Sequence, residues 1–95
     1  MSERIENIRR AVEAMHDCTA THESSMPVKE MFGAQTAWEG VVESFELTGH
    51  PLAQRCYAWS FEEAGETRYI GVLELPPVES PPTAVRAAIA SGEQK

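Results

Sequence analysis

Residues 55–61 read Arg-Cys-Tyr-Ala-Trp-Ser-Phe, and this stretch decides the fold class because large and small side chains alternate along it. Successive side chains of a β-strand point to opposite faces, so the aromatic rings share one face and the small groups share the other. The aromatic positions are Tyr57, Trp59 and Phe61, and the small ones are Cys56, Ala58 and Ser60. We therefore predict a strand here, with a helix packed closely against the sheet.

Turn signals on both sides extend this strand into a sheet. The cluster Thr-Gly-His-Pro at 48–51 precedes it, and the polar run 62–66 predicts a hairpin loop before an apolar strand at 67–75. Upstream, residues 36–47 form the longest strand candidate, along which the main apolar face changes. Gly40 within it indicates a bulge or a close backbone approach.

A further strand is predicted between residues 19 and 32, with its firm part after Pro27 and Pro27 itself at an edge or at the start of the strand. Met26, Val28 and Phe32 fall on one side of this extended chain, with Glu30 as the exception. Gly33 and Ala34 then turn the chain toward the next strand.

Two helices enclose the strands in sequence. Apolar residues spaced three or four apart predict a helix from Glu3 to Met15, with Ser2 as its N-cap. Ser80 and Pro81 supply the cap and first position of a helix over Pro81–Ser91, and a frayed tail is expected from about residue 91.

The element order is therefore α-β-β-β-β-α in a single α+β domain spanning residues 1–95. Short turns between consecutive strands favour a four-stranded antiparallel meander flanked by an N-terminal and a C-terminal helix. A chain of 95 residues has a marginal core, which argues against a large enclosed active-site cavity and favours a binding surface.

The charge is negative and uneven. The chain has 15 acidic and 8 basic residues, a net charge of −7, and residues 30–79 contain nine Glu but only Arg55 and Arg68 as bases. Such a surface repels phosphate, which argues against nucleic acid and anionic membranes. Helix-strand-helix order resembles that of double-stranded RNA-binding domains, but the basic residues that those need are missing.

A basic protein partner fits this charge, since opposite potentials steer encounter. We expect Trp38 to serve as an aromatic anchor with Glu39, Glu43 and Glu46 as its acidic rim, although solvated glutamates that only maintain solubility explain the charge equally well. Glu39 and Glu43 share a strand face, but residues four apart in a strand lie roughly 13 Å from each other, too far for a catalytic pair.

Five nitrogen and sulfur ligands suggest zinc as the alternative, because zinc prefers imidazole and thiolate donors. They are His16, Cys18, His22, His50 and Cys56. Their spacing matches no standard zinc motif. His16 is equally explained as a partner for the helix dipole, and Cys18 as a small buried hydrophobe.

No sequence motif indicates catalysis. Neither cysteine is accompanied by a glycine-rich oxyanion turn or a nucleophile elbow, so the chain is expected to lack enzymatic activity. No apolar run is long enough to span a membrane and no signal peptide is recognisable, which predicts a cytoplasmic protein with reduced thiols.

Residues 49–60, Gly-His-Pro-Leu-Ala-Gln-Arg-Cys-Tyr-Ala-Trp-Ser, and residues 76–81, Pro-Pro-Val-Glu-Ser-Pro, resemble segments of a group of short uncharacterised bacterial proteins. The resemblance covers roughly residues 18–89. It implies a bacterial cytoplasmic protein and brings no activity, cofactor or catalytic residue with it.

Overall fold

A computed structural model describes residues 2–92 of the chain and has the predicted order of elements. The helices and strands are α1 (Glu3–His16), β1 (Thr19–Phe32), β2 (Gln35–Thr48), β3 (Arg55–Glu63), β4 (Glu66–Leu73) and α2 (Pro81–Ser91). The four strands form one antiparallel sheet in the order β1-β2-β3-β4, so the predicted α+β meander is confirmed.

The two helices lie on opposite faces of the sheet. Tyr57 and Trp59 belong to the hydrophobic cluster that contains the buried residues of α2. Cys56 and Ala58, which alternate with them along β3, belong to the cluster that contains Ile8 and Val12 of α1. The alternation of large and small side chains thus divides the core into two layers, and α1 packs on the side of the small groups.

The central junction of the sheet is short. β1 pairs with β2 over nearly the whole length of both strands, and β3 pairs with β4 in the same way. In contrast, the register between β2 and β3 covers only Glu43–Glu46 against Arg55–Ala58. Beyond Glu43 the β1–β2 hairpin continues as a two-stranded extension, which we call the arm (residues 26–42).

Strand β1 has the predicted bounds, but it pairs with β2 already before Pro27. Pro27 lies in the interior of the strand and not at its start, and β1 is an edge strand of the sheet, which was the other predicted placement of this proline. The register slips between His22 and Ser24, which leaves Glu23 as an extra residue. This bulge changes which alternate residues face α1, and the irregular pattern of polar side chains before Pro27 therefore made this part of the strand a weaker prediction.

The β3–β4 connection is tighter than the predicted loop. Glu62, Glu63 and Glu66 belong to the strands, and only Ala64 and Gly65 form the turn. Both turn residues have positive φ, 54° and 80°, as a two-residue hairpin turn with the twist of the strands requires. The predicted loop over 62–66 was wrong because polar composition does not distinguish a loop from an exposed hairpin end.

Capping follows the sequence signals. The Ser2 side chain accepts a hydrogen bond from the Ile5 amide, and Ser80 forms a capping box with Thr83. Helix α2 ends at Ser91, and Gly92 adopts the left-handed conformation as its C-cap. The rest of the predicted frayed tail, residues 93–95, lies outside the described residues.

Neither helix of the described chain is long and apolar enough to cross a lipid bilayer.

Candidate functional site

The arm is covered on one face only. Val28, Trp38 and Val42 point toward α2 and join its hydrophobic cluster. Glu30 shares this face and forms an ion pair with Arg86 of α2, with 2.6 Å between Oε1 and Nε. The polar exception in the apolar pattern of β1 is thus an attachment of the arm to the helix.

The large apolar side chains that are exposed to solvent are concentrated in the arm. Among the described residues, four of the six exposed large hydrophobic side chains lie there: Met26, Met31, Phe32 and Val41. Phe32 is 82% exposed although it stands next to the turn of a folded hairpin. Isolated exposed apolar residues are ordinary, but a local concentration indicates an interaction surface.

A groove of about 330 Å³ lies where the end of the arm meets the C-terminal half of α2. Met31 and Phe32 line it from the arm, and Ile89 lines it from the helix. The Glu30–Arg86 ion pair contributes the polar residues of the same groove. The groove combines apolar walls with a few fixed polar groups, as protein-binding clefts do.

The four predicted partner-binding residues do not form one surface. Trp38 is half-buried and packs edge-on against Trp59, with ring centroids 5.5 Å apart. Glu39 and Glu46 are exposed but lie on opposite faces, because they are seven positions apart along β2 and side chains alternate between faces. Glu43 is fully buried. Trp38 is therefore a contact between the arm and the core rather than an exposed anchor.

The prediction that Glu43 lies on the solvent side was wrong. Its carboxylate accepts hydrogen bonds from Arg4 Nη2 of α1 at 2.5 Å, from His22 Nε2 at 2.8 Å and from the Ser25 hydroxyl. Burial raises the pKa of Glu43, but the three hydrogen bonds outweigh burial and hold that pKa below its usual range. A buried charge is tolerated because three donors satisfy it.

Ser25, His22 and Glu43 have the composition of a catalytic triad but not its geometry. In such a triad, the imidazole uses one ring nitrogen for the hydroxyl and the other for the acid. Here the Ser25 hydroxyl and the Glu43 carboxylate both approach Nε2 of His22, at 3.5 and 2.8 Å. The serine also donates directly to the carboxylate. The cluster attaches α1 to the sheet and has no arrangement for relaying a proton.

Four arginines form ion pairs with glutamates of the acidic segment, residues 30–79. Helix residues Arg4 and Arg86 reach the sheet, and Arg55 and Arg68 pair within it. The acidic partners between residues 30 and 79 are Glu30, Glu43, Glu63, Glu66 and Glu74. Five of the nine glutamates of this segment are thus paired with arginines, and Glu39 and Glu46, which pair with no described residue, lie on opposite faces of β2, so the predicted acidic rim does not form one face.

The structure brings some of the five candidate zinc ligands near one another, because His16 and His50 pack edge to face with ring centroids 6.2 Å apart and Cys18 and Cys56 share the α1 core layer. Each histidine nitrogen that is engaged contacts a protein group. His22 donates to Glu43, His16 Nε2 donates to the carbonyl of Gly71 at 3.2 Å, and His50 Nδ1 accepts from the amides of Leu52 and Ala53. Within residues 2–92, no three His, Cys, Asp or Glu side chains are grouped so that they can hold a metal ion.

Both cysteines are free thiols in the α1 core layer. Burial raises the pKa of Cys56 to about 12, with a smaller contribution from Cys18. Burial also raises the pKa of Cys18, and the nearby charges of Glu13 and Asp17 add to this. Neither thiol is activated as a nucleophile, since activation requires a lowered pKa.

The sequence patterns did not predict the hydrogen bonds that hold Glu43 or the exposure of Phe32. Arg4 and Ser25 hold Glu43, but a helical arginine and a strand serine look like ordinary surface residues in a sequence. Phe32 carried a usable signal, because an aromatic residue directly before the Gly33 turn has few neighbours that can cover it.

Comparison with protein-family models, with curated proteins and with solved structures gave no match for this chain.

Proposed function

We propose that this chain is a small, non-enzymatic protein-binding module and that the arm is its contact element. The observation that carries the proposal is the exposure of Met31 and Phe32, at 51% and 82%, beside an apolar groove. Residues that serve only stability are seldom aromatic at such exposure, whereas aromatic and Met side chains are enriched in binding interfaces.

A basic partner surface remains part of the proposal. Its support is the net charge of −7, which steers a positively charged protein toward the chain at long range. The paired glutamates contribute little to affinity at contact, so the apolar side chains of the arm provide the binding energy. Attraction by charge and binding by apolar side chains together fit an adaptor or an inhibitor. The two free thiols support a reducing compartment, the cytoplasm.

A capture experiment with matched variants tests the proposal. The bait is the purified, immobilised chain, and it is incubated with a cell lysate. The test variant carries both Met31→Ser and Phe32→Ser. The control is Leu52→Ser, because Leu52 is 74% exposed but lies in the β2–β3 connection, away from the arm. We expect a set of proteins to be retained by the wild type and by Leu52→Ser, and to be lost from the double variant.

Salt separates the two parts of the proposal. Association with a basic partner should slow as the salt concentration rises, because screening weakens long-range attraction. If the double variant retains the same proteins as the wild type, the arm is not the contact element. If retention is unchanged by salt and by Glu39→Lys with Glu46→Lys, the partner is not selected by charge.

A further inference from the structure

The sheet has four strand edges without a neighbouring strand. Two are the outer edges of β1 and β4, and the other two are the inner edges of β2 and β3, which face each other across the gap where these strands have separated. Unpaired strand edges attract other extended chains, and folded proteins usually block them. The edges of this sheet differ in whether they are blocked.

The outer edge of β1 is blocked. The Leu47 amide donates to the carbonyl of Gln54, so alternate residues of β2 from Leu47 back to Val41 direct their backbone groups toward β3. Val41 is opposite Pro27, and the backbone nitrogen of Pro27 therefore points outward. Proline has no hydrogen to donate there, and the bulge at Glu23 disrupts the same edge further back.

The outer edge of β4 is blocked over its C-terminal half by other groups of the chain. His16 at the end of α1 donates a hydrogen bond to the carbonyl of Gly71. Further along, the amide of Leu75 donates to the carbonyl of Leu73. These contacts leave the outward-facing backbone groups of Thr67 and Tyr69, near the hairpin turn, outside the blocked part.

The inner edge of β2 is open over Glu39–Val41. Glu39 and Val41 direct their N–H and C=O groups toward β3, by the same alternation that begins at Leu47. Pairing with β3 ends at Glu43 opposite Ala58, so within the described chain no strand pairs with these groups. Both residues are exposed, and Val41 is 41% accessible. The edge also contains no proline between Gln35 and Thr48.

We propose that an extended segment of the partner adds to the arm as a strand along the inner edge of β2 over Glu39–Val41. This inference rests on the proposed function, since it describes how the arm holds a protein. An extended backbone is the ligand whose donors and acceptors alternate with the spacing of these unpaired groups.

The side chains beside this edge specify the chemistry of the segment. Glu39 of β2 and Glu62 of β3 both project to the α1 face of the sheet, on either side of the gap between the two strands. On the other face, half-buried Trp38 lies next to the gap and contacts Trp59. Because an added strand alternates its side chains, the preferred segment has basic residues at every second position and apolar residues between them.

A synthetic peptide with that pattern is the probe. Acetyl-Lys-Val-Lys-Val-Lys-Val-Lys-amide is titrated into the ¹⁵N-labelled chain, and amide hydrogen exchange is followed residue by residue. We expect exchange at the amides of Glu39 and Val41 to slow about tenfold or more at saturation, because each gains a hydrogen-bond acceptor. A peptide with Glu in place of every Lys should bind more weakly by about tenfold, since it faces Glu39 and Glu62.

Two controls isolate the backbone contact. N-methylation of alternate peptide amides keeps charge and side chains but removes the donors, and this peptide should give no protection. In the protein, Val41→Pro removes one inward-facing donor, whereas Lys29→Pro removes one outward-facing donor from β1 and should leave binding unchanged. The methylated peptide keeps the test valid if Val41→Pro does not fold.

Several results overturn the inference. These are no protection of Glu39 and Val41 at about 1 mM Lys-Val peptide, equal binding of the methylated peptide, or protection along β1 or β4 instead. Protection that appears without peptide and grows with protein concentration assigns the edge to a second copy and also overturns it. The proposed function is judged separately, because capture through Met31 and Phe32 does not require the inner edge.

Discussion

Strands β1 and β2 run through two regions of the sheet, the four-stranded region and the arm, and they are covered differently in each. In the region where all four strands are present, α1 covers one face and α2 the other, and Phe45, Cys56 and Trp59 are almost entirely excluded from solvent. In the arm, α2 covers one face, the other face is bare, and one strand edge is open. The comparison indicates that stability resides in the four-stranded region and that the arm is available for binding.

The largest effect is expected in the four-stranded region. Trp59 is 1% exposed and lies in the core layer between the sheet and α2. Trp59→Ala should lower the free energy of unfolding by about 3–5 kcal/mol, because it removes a large buried side chain and leaves a cavity. Urea denaturation followed by circular dichroism measures the loss. A change below about 1 kcal/mol would show that this layer does not carry the stability.

The boundary between the two regions is held by Glu43. Glu43→Gln should destabilise the fold by about 2 kcal/mol, since it weakens charge-assisted hydrogen bonds from Arg4 and His22. Glu39→Gln is the matched control, because Glu39 lies four residues from Glu43 on the same face of β2 and is exposed. Its effect should stay within about 0.5 kcal/mol. Equal effects in denaturant titrations of the two variants would remove the special role of Glu43.

The pH dependence of stability should report the same cluster. The pKa of Glu43 is lowered in the folded chain, so the unfolded chain binds this proton more readily. Its stabilising contribution is therefore complete above the ordinary carboxyl pKa and is lost as the pH falls through the lowered value. Unfolding free energies measured between about pH 3 and pH 7 should fall less steeply for Glu43→Gln than for the wild type.

A pair of glycines compares packing in the two regions directly. A Cβ at Gly40 of the arm would lie 2.9 Å from Cη2 of Trp38, whereas a Cβ at Gly71 of β4 would meet its nearest neighbours at 3.4 Å. Gly40→Ala should therefore displace the indole and cost about 1 kcal/mol, while Gly71→Ala should be near neutral. Tryptophan fluorescence should shift in the first variant only. A similar shift in both variants would contradict this packing.

The smallest effect on stability is expected at the end of the arm. Phe32→Ser should change the free energy of unfolding by less than about 0.5 kcal/mol, because the side chain is 82% exposed. The melting temperature should match that of Leu52→Ser, the control in the β2–β3 connection. A loss near that of a core substitution would mean that Phe32 supports the fold and would weaken its assignment to binding.

Much of the fold was accessible from local patterns. The spacing of Ile5, Ile8 and Val12 predicted α1, the alternation around Trp59 predicted β3, and Ser80 with Pro81 marked the start of α2. The part of β1 before Pro27 was predicted less firmly than the rest because a bulge interrupts its alternation. The β3–β4 turn was predicted too long because exposed strand ends are as polar as loops.

The sequence by itself determined the order of elements and the division of the core, since helix caps and the period of apolar residues depend on neighbours within a few positions. Only the tertiary structure decided where Glu43 lies and what the arm exposes. Arg4 and His22 are 39 and 21 positions from Glu43, and the open edge at Val41 exists because β2 and β3 separate. Burial and strand separation depend on how distant segments pack, and no local pattern encodes them.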